Sequence, residues 1–72
     1  MPRGHELPRE RVEADLRKRI KAGEWKQGEA IDTVATLADH YQVSQGTVSA
    51  AIRVLVDEGL LLTRPRWATT VR

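Results

Sequence analysis

The chain has 72 residues and no cysteine, which leaves room for one small domain and excludes disulfide bonds and thiolate metal sites. The N-terminus lacks the apolar stretch of a secretory signal, and no segment approaches the roughly 20 apolar residues that span a bilayer. We therefore expect a cytoplasmic protein that does not bind a membrane.

The net charge is +2, but the charge is distributed unevenly. Residues 1–22 carry seven Lys or Arg and four Asp or Glu, residues 23–43 carry one and four, and residues 44–72 carry four and two. The two ends are therefore positive and the middle is negative. This pattern suits an anionic partner that meets one face of the protein, although ordinary surface charge explains it equally well.

An amphipathic helix is predicted first. Residues 1–8 are expected to form a flexible tail, and Pro8 suits a helix start because its missing N–H would have no partner there. From residue 9 to residue 22, apolar side chains recur every four positions. Gly23 then ends this helix in the left-handed conformation. Residues 9–72 are predicted to form the folded domain.

Residues 37–56, LADHYQVSQGTVSAAIRVLV, are the most informative segment. They contain two short amphipathic helical patterns on either side of a tight turn, Gln42-Val43-Ser44. Asp32 or Thr33 offers a capping oxygen to the first of these helices, and Ser44 caps the second. This is the sequence form of a helix-turn-helix, whose second helix is built to lie in the major groove of DNA.

Short strands are predicted around the helices. Ala30-Ile31 can form only a one-ladder strand, whereas residues 60–63 and 68–71 form two strands joined by Arg64-Pro65-Arg66-Trp67. The predicted fold is mainly α with a small β-sheet, a three-helix winged helix-turn-helix in the order helix, short strand, helix, helix, strand, wing, strand. The predicted core residues are Val12, Leu16, Ile20, Trp25, Val34, Leu37, Ala38, Tyr41, Val43, Val48, Ile52, Leu55 and Val56.

Polar residues of the third helix are the first candidates for base contacts. Gln45 can pair with an adenine through both atoms of its amide, which discriminates against a wrong base by about 1–3 kcal/mol. Thr47 and Ser49 can donate hydrogen bonds to a phosphate or a base. Gly46 costs a helix about 1 kcal/mol against alanine, and close approach to the DNA backbone is the preferred reason for it. A merely solvated helix face is the alternative for all four.

Phosphate contacts are expected around this helix. Arg53 is aimed at a phosphate or pairs with Asp57 one turn on. Thr33 and Thr36 can present hydroxyls to a phosphate at the N-terminus of the second helix. Alternatively, Thr33 only caps that helix. In the wing, Arg64 and Arg66 suit a narrow minor groove, and Trp67 either stacks on the DNA backbone or covers the core. The predicted DNA-binding residues are Thr33, Thr36, Ser44, Gln45, Gly46, Thr47, Ser49, Arg53, Arg64, Arg66 and Trp67.

No catalytic or metal site is predicted. His5 and His40 are far apart and have no cysteine or suitable carboxylate partners, so they read as surface residues. No nucleophile is accompanied by a base, and no glycine-rich phosphate loop is present. We therefore expect neither an enzyme nor a bound cofactor.

Six segments carry a resemblance to a known family: Ile20-Lys21-Ala22-Gly23-Glu24, Gly28-Glu29-Ala30-Ile31, Leu37-Ala38, Val43-Ser44, Thr47-Val48 and Leu55-Val56-Asp57-Glu58-Gly59-Leu60. With them, the chain resembles the DNA-binding half of the GntR family of bacterial transcription regulators between about residues 9 and 71. The resemblance implies a three-helix winged helix that binds operator DNA, usually as a dimer. It also implies Arg where this chain has Ala35, Gln45 and Ser49, so the family's operator sequence is not carried over. The effector-binding domain of relatives is missing, so no small-molecule effector site is expected.

The leading hypothesis is thus a sequence-specific regulator of transcription, with repression as the expected mode. It inserts the third helix into the major groove of a double-stranded DNA operator and the wing in or near the minor groove. A winged-helix protein-interaction module is the alternative from another class, and plasmid-maintenance or architectural DNA binding shares the same chemistry. The chain is expected to be a monomer or weak dimer that self-associates on a palindromic site.

Overall fold

The computed structural model describes residues 7–64 and 68–72. Residues 1–6 and Pro65, Arg66 and Trp67, which include most of the predicted tail and the predicted wing contacts, lie outside the described residues. The elements are three helices, α1 (Pro8–Lys21), α2 (Val34–Tyr41) and α3 (Gln45–Asp57), and two strands, β1 (Leu61–Thr63) and β2 (Thr69–Val71). The predicted fold class and element order are confirmed.

Helix α1 begins one residue before the predicted boundary, so Pro8 belongs to the helix and not to the tail. Leu7 is the N-cap, and its backbone N–H donates to a carboxylate oxygen of Glu10 at 3.1 Å. Pro8 fits the first helical position because N–H groups of the first turn have no acceptor within the helix.

Helix α3 is central, since α1, α2 and β1 all pack against it. Each predicted core side chain is either buried or packed, partly buried, against the core. Ala51, which is not among the predicted core residues, is also fully buried. It lies three residues after Val48 and four before Leu55, on the same face of the helix. The buried core consists of Val12, Leu16, Ile31, Leu37, Ala38, Val48, Ala51, Ile52, Leu55, Leu61 and Val71.

The turn between α2 and α3 depends on a left-handed residue that is not glycine. Gln42 has φ 57°, and its side-chain amide donates to the carbonyl oxygen of Asp39 at 2.6 Å. The next N–H, that of Val43, donates to the Ala38 carbonyl at 3.0 Å. Few non-glycine residues adopt this conformation. These local bonds fix the direction in which α3 leaves α2.

The sheet is antiparallel, and a third, very short segment pairs with β2. Across β1 and β2, Leu61 lies opposite Val71 and Thr63 lies opposite Thr69. The predicted one-ladder strand is present as an isolated bridge between Ala30 and Thr70. Backbone bonds from Gly28 N–H to Val71 O (2.8 Å), Ile31 N–H to Thr69 O (2.9 Å) and Val71 N–H to Glu29 O (2.9 Å) tie this segment to β2.

Candidate nucleic-acid interface

Both helices of the helix-turn-helix begin with a capping hydroxyl. Thr33, and not Asp32, caps α2: its Oγ1 accepts from the Thr36 N–H at 3.1 Å. Ser44 caps α3 in the same way, with its Oγ 3.1 Å from the Thr47 N. In each pair the two hydroxyl oxygens also lie 2.9 Å apart. The four hydroxyls therefore fix the starts of the helices, and whether they also contact DNA stays a prediction.

The first two turns of α3 expose three of the four predicted residues, whereas Thr47 is partly buried. Gln45, Gly46 and Ser49 are exposed, whereas Val48 and Ile52 on the opposite side are buried. A Cβ built on Gly46 would meet no heavy atom closer than the Ser44 Oγ, at 3.9 Å. The packing of the domain therefore gives no reason for a glycine at this position.

A groove of about 370 Å³ separates α3 from the sheet. Ser49 and Arg53 of α3 line it together with Thr63 of β1 and Thr69 of β2. The third helix thus lies beside the strands that lead to the wing. Sequence reasoning missed the two threonines, although each lies two residues from a buried strand residue and must share its face. The remaining lining residues are Val34, Ile52 and Val56.

A second groove, of about 480 Å³, lies between α2 and the start of α3. Ala35 and Gln45, two positions where the resemblance implied Arg, both line it. The exposed Asp39 lines it as well. This side of the interface is therefore neutral to acidic, which disfavours dense phosphate contacts there. The other lining residues are Ala38, Gln42, Val43 and Ser44.

Arg53 is an exposed cation on α3. Among residues 7–64 and 68–72 it has no ion-pair partner, and the alternative pair with Asp57 does not form. Glu58, just past the end of α3, is compensated instead by Arg17 of α1, whose Nε and Nη2 donate to it at 2.9 and 2.6 Å. These bonds lower the pKa of Glu58. Glu58 is thus paired, whereas Arg53 and Asp57 are in no ion pair within the described residues.

Arg64 points to a different part of the surface. It lines a groove of about 560 Å³ on the outer side of the sheet with Leu62, Thr70 and Arg72. The groove beside α3 is lined by the preceding residue, Thr63, because successive strand residues face opposite ways. The structure therefore brings Arg53, but not Arg64, next to the polar face of α3.

A polar network around Arg19 links α1 to the end of α2. Its guanidinium donates to Glu24 and, at 2.9 Å, to the Tyr41 hydroxyl, and it lies 4.5 Å from the centre of the Trp25 ring. The Tyr41 hydroxyl donates in turn to Asp15. Burial, together with the bond to Asp15, raises the pKa of Tyr41 to about 12. We call Asp15, Arg19, Glu24, Trp25 and Tyr41 the Arg19 network.

Among residues 7–64 and 68–72, no group of three His, Cys, Asp or Glu residues is placed to hold a metal ion. No helix there is long and apolar enough to cross a membrane.

The chain is similar to a known bacterial sequence and to several solved structures. It is 42% identical over 60 residues to an uncharacterized HTH-type transcriptional regulator, YisV, of Bacillus subtilis (strain 168). That match covers 83% of this chain but only 12% of the relative's length. AraR(DBD) in complex with operator ORE1 superposes with a TM-score of 0.91 at 27% identity, covering 99% of this chain and 90% of that one. AraR(DBD) in complex with operator ORX1 gives 0.91 at 25% identity, covering 100% and 93%.

The family match spans nearly all of the folded domain. Residues 8–71 match the family described as bacterial regulatory proteins, gntR family. The match includes all three helices and both strands. It confirms the resemblance drawn from the sequence, and a family of regulatory proteins agrees with the prediction that the chain is not an enzyme. The chain belongs to the gntR family of bacterial regulatory proteins.

Proposed function

We propose that this domain binds a specific double-stranded DNA operator and regulates transcription, with repression by occupancy as the expected mode. One observation carries the proposal. The exposed, uncharged hydrogen-bonding residues at the start of α3 stand beside a groove that contains Arg53 and is lined by no acidic residue among residues 7–64 and 68–72. Base-reading groups next to a phosphate-binding cation are what direct readout requires.

The comparisons support the same reading. AraR(DBD), which has this fold at 27% identity, is seen in complex with operator ORE1. A bacterial regulator must reach the chromosome to bind its operator. We therefore infer a cytoplasmic location. We also infer that two copies pair on a palindromic site, because half-sites one helical turn apart place two such helices in successive major grooves.

Selection of bound duplexes from a random library by the 72-residue chain tests the proposal. An enriched motif supports sequence-specific binding, and footprinting then gives the half-site spacing. The absence of any enriched motif, with binding to all duplexes alike, would favour an architectural role. Failure to shift any duplex at low salt would favour a protein-interaction module instead.

The Gln45→Ala variant makes the test specific to α3. We expect it to relax selection at one base pair, at a cost of about 1–3 kcal/mol, because a bidentate amide contact is lost. Gln27→Ala is the matched control, since Gln27 is also exposed but lines the groove on the outer side of the sheet. Equal selectivity of the two variants would contradict base reading by Gln45.

A further inference from the structure

Thr63 and Thr69 occupy positions where the sheet would ordinarily continue its apolar face. They lie directly opposite each other in the ladder, and the next pair on the same face is Leu61 with Val71. Leu61 and Val71 are both buried. The inner face of the sheet thus changes from apolar to hydroxylated where it leaves the core.

The two hydroxylated residues line the groove beside α3, opposite Ser49 and Arg53. Ile52, 6% exposed, is among the apolar residues that line the same groove. The polar residues that line it are Ser49, Thr63, Thr69 and Arg53, and none of the described residues that line it is acidic. Such a set consists of hydrogen-bond donors with a single positive charge. Asp32 lines an adjoining groove that also reaches Thr69.

Arg53 differs from three of the four arginines of α1, which are in ion pairs, whereas the fourth, Arg11, donates only to the Tyr41 carbonyl oxygen at 3.5 Å. Arg9 pairs with Glu13 at 2.8 Å, and Arg17 and Arg19 pair with Glu58 and Glu24. Arg53 has no such partner within the described part of the chain. Its side chain is therefore available to an anion from outside.

We propose that this groove holds one DNA backbone phosphate, with Arg53 supplying the charge and the Thr63 and Thr69 hydroxyls donating hydrogen bonds. This phosphate site rests on the proposed function. It gives Thr63 and Thr69 a positioning role that the sequence did not indicate. A phosphate held between α3 and the sheet fixes the register of the helix in the major groove without reading sequence. Serine and threonine hydroxyls with arginine are common phosphate partners on DNA.

Neighbouring threonines on β2 provide a matched test. Thr69 and Thr70 are both partly buried, but Thr69 lines the α3 groove and Thr70 lines the groove on the outer side of the sheet. Valine preserves shape and β-branching and removes only the hydroxyl. We expect Thr69→Val and Thr63→Val each to weaken binding about three- to tenfold on the selected operator, the range of one hydrogen bond. Thr70→Val is expected to change binding less than twofold.

The loss of DNA affinity in these variants should not depend on the DNA sequence, because a phosphate contact carries no sequence information. Thr69→Val should weaken binding to the operator and to an unrelated duplex by the same factor. Arg53→Gln should reduce the slope of log affinity against log salt by about 1. On duplexes carrying a single neutral methylphosphonate, one position should abolish the difference between Arg53→Gln and the parent chain. Thermal unfolding of each variant verifies that it is folded.

Three results would overturn the proposal. Thr69→Val and Thr70→Val could weaken binding equally, the loss could be confined to one base pair, or no neutral phosphate could cancel the effect of Arg53→Gln. These results leave the parent chain bound to its operator, so the proposed function would stand. Failure of the parent chain itself to bind any duplex would instead reject the proposed function.

Discussion

The Arg19 network and the exposed start of α3 show two different uses of polar side chains in one small domain. In the network, each charged or hydroxyl group already has a partner inside the protein. At the start of α3, Gln45 and Ser49 are exposed, and nearby Arg53 has no ion-pair partner within the described residues. The comparison indicates that the network holds the helices together, whereas the α3 surface keeps its donors for an outside acceptor. Substitutions in the Arg19 network should therefore change mainly the stability of the domain, whereas substitutions at the start of α3 should change mainly DNA binding.

The largest expected effect is on the stability side. Tyr41→Phe removes the hydroxyl that accepts from Arg19 and donates to Asp15. We expect the free energy of unfolding in urea to fall by about 1–2 kcal/mol, since hydrogen bonds to charged groups are lost at a partly exposed site. Operator affinity of the folded variant should stay within twofold. If Tyr41→Phe lost more free energy of operator binding than free energy of unfolding, the Arg19 network would not be confined to a role in stability.

The same residue predicts a pH dependence. The pKa of Tyr41 is raised to about 12, above its ordinary value of 10.0, so the folded state holds this proton more tightly than the unfolded state. Its contribution to stability is fully present below pH 10 and is lost as the pH rises from 10 to 12. The difference in unfolding free energy between the parent chain and Tyr41→Phe should therefore narrow over this interval. A constant difference would show that the tyrosine proton is not linked to folding.

Gly46→Ala should raise the stability of the domain and lower its affinity for the operator. The new Cβ meets nothing closer than 3.9 Å in the free protein, so the variant should gain up to about 1 kcal/mol of stability from helix propensity. If α3 approaches the DNA closely, the methyl group should weaken operator binding about tenfold, which corresponds to about 1.4 kcal/mol. Thermal unfolding and a mobility-shift titration measure the two effects. Unchanged affinity would leave the glycine without a role in binding.

The smallest expected effect concerns charge at the groove between α2 and α3. Asp39→Asn removes an exposed carboxylate beside Gln45 and should raise affinity for every duplex a few-fold, about 0.2–1 kcal/mol. The gain should shrink as salt rises, because exposed charges are screened. Asp57→Asn, at the far end of α3, is the control for charge alone. An equal gain from both variants would indicate a general charge effect and not a local one.

Features that depend on neighbouring residues could be predicted from the sequence. The caps Thr33 and Ser44, the glycines after α1 and α3, and the apolar faces of all three helices follow from bonds and periodicities within a few residues. Even there, tertiary context decided details. Arg53 and Asp57 have the same i,i+4 spacing as the Arg9–Glu13 pair, but no ion pair joins them.

Only the tertiary structure decided which distant residues meet. Arg17 reaches Glu58 across 41 positions and Arg19 reaches Tyr41 across 22, and no local pattern specifies such pairs. The crossing of α3 over the sheet brings Ser49 and Arg53 beside Thr63 and Thr69. The alternation of strand residues places Arg64 on the outer face. Local backbone hydrogen bonding thus sets the elements, whereas the packing of α3 against α1, α2 and β1 sets the composition of the binding surface.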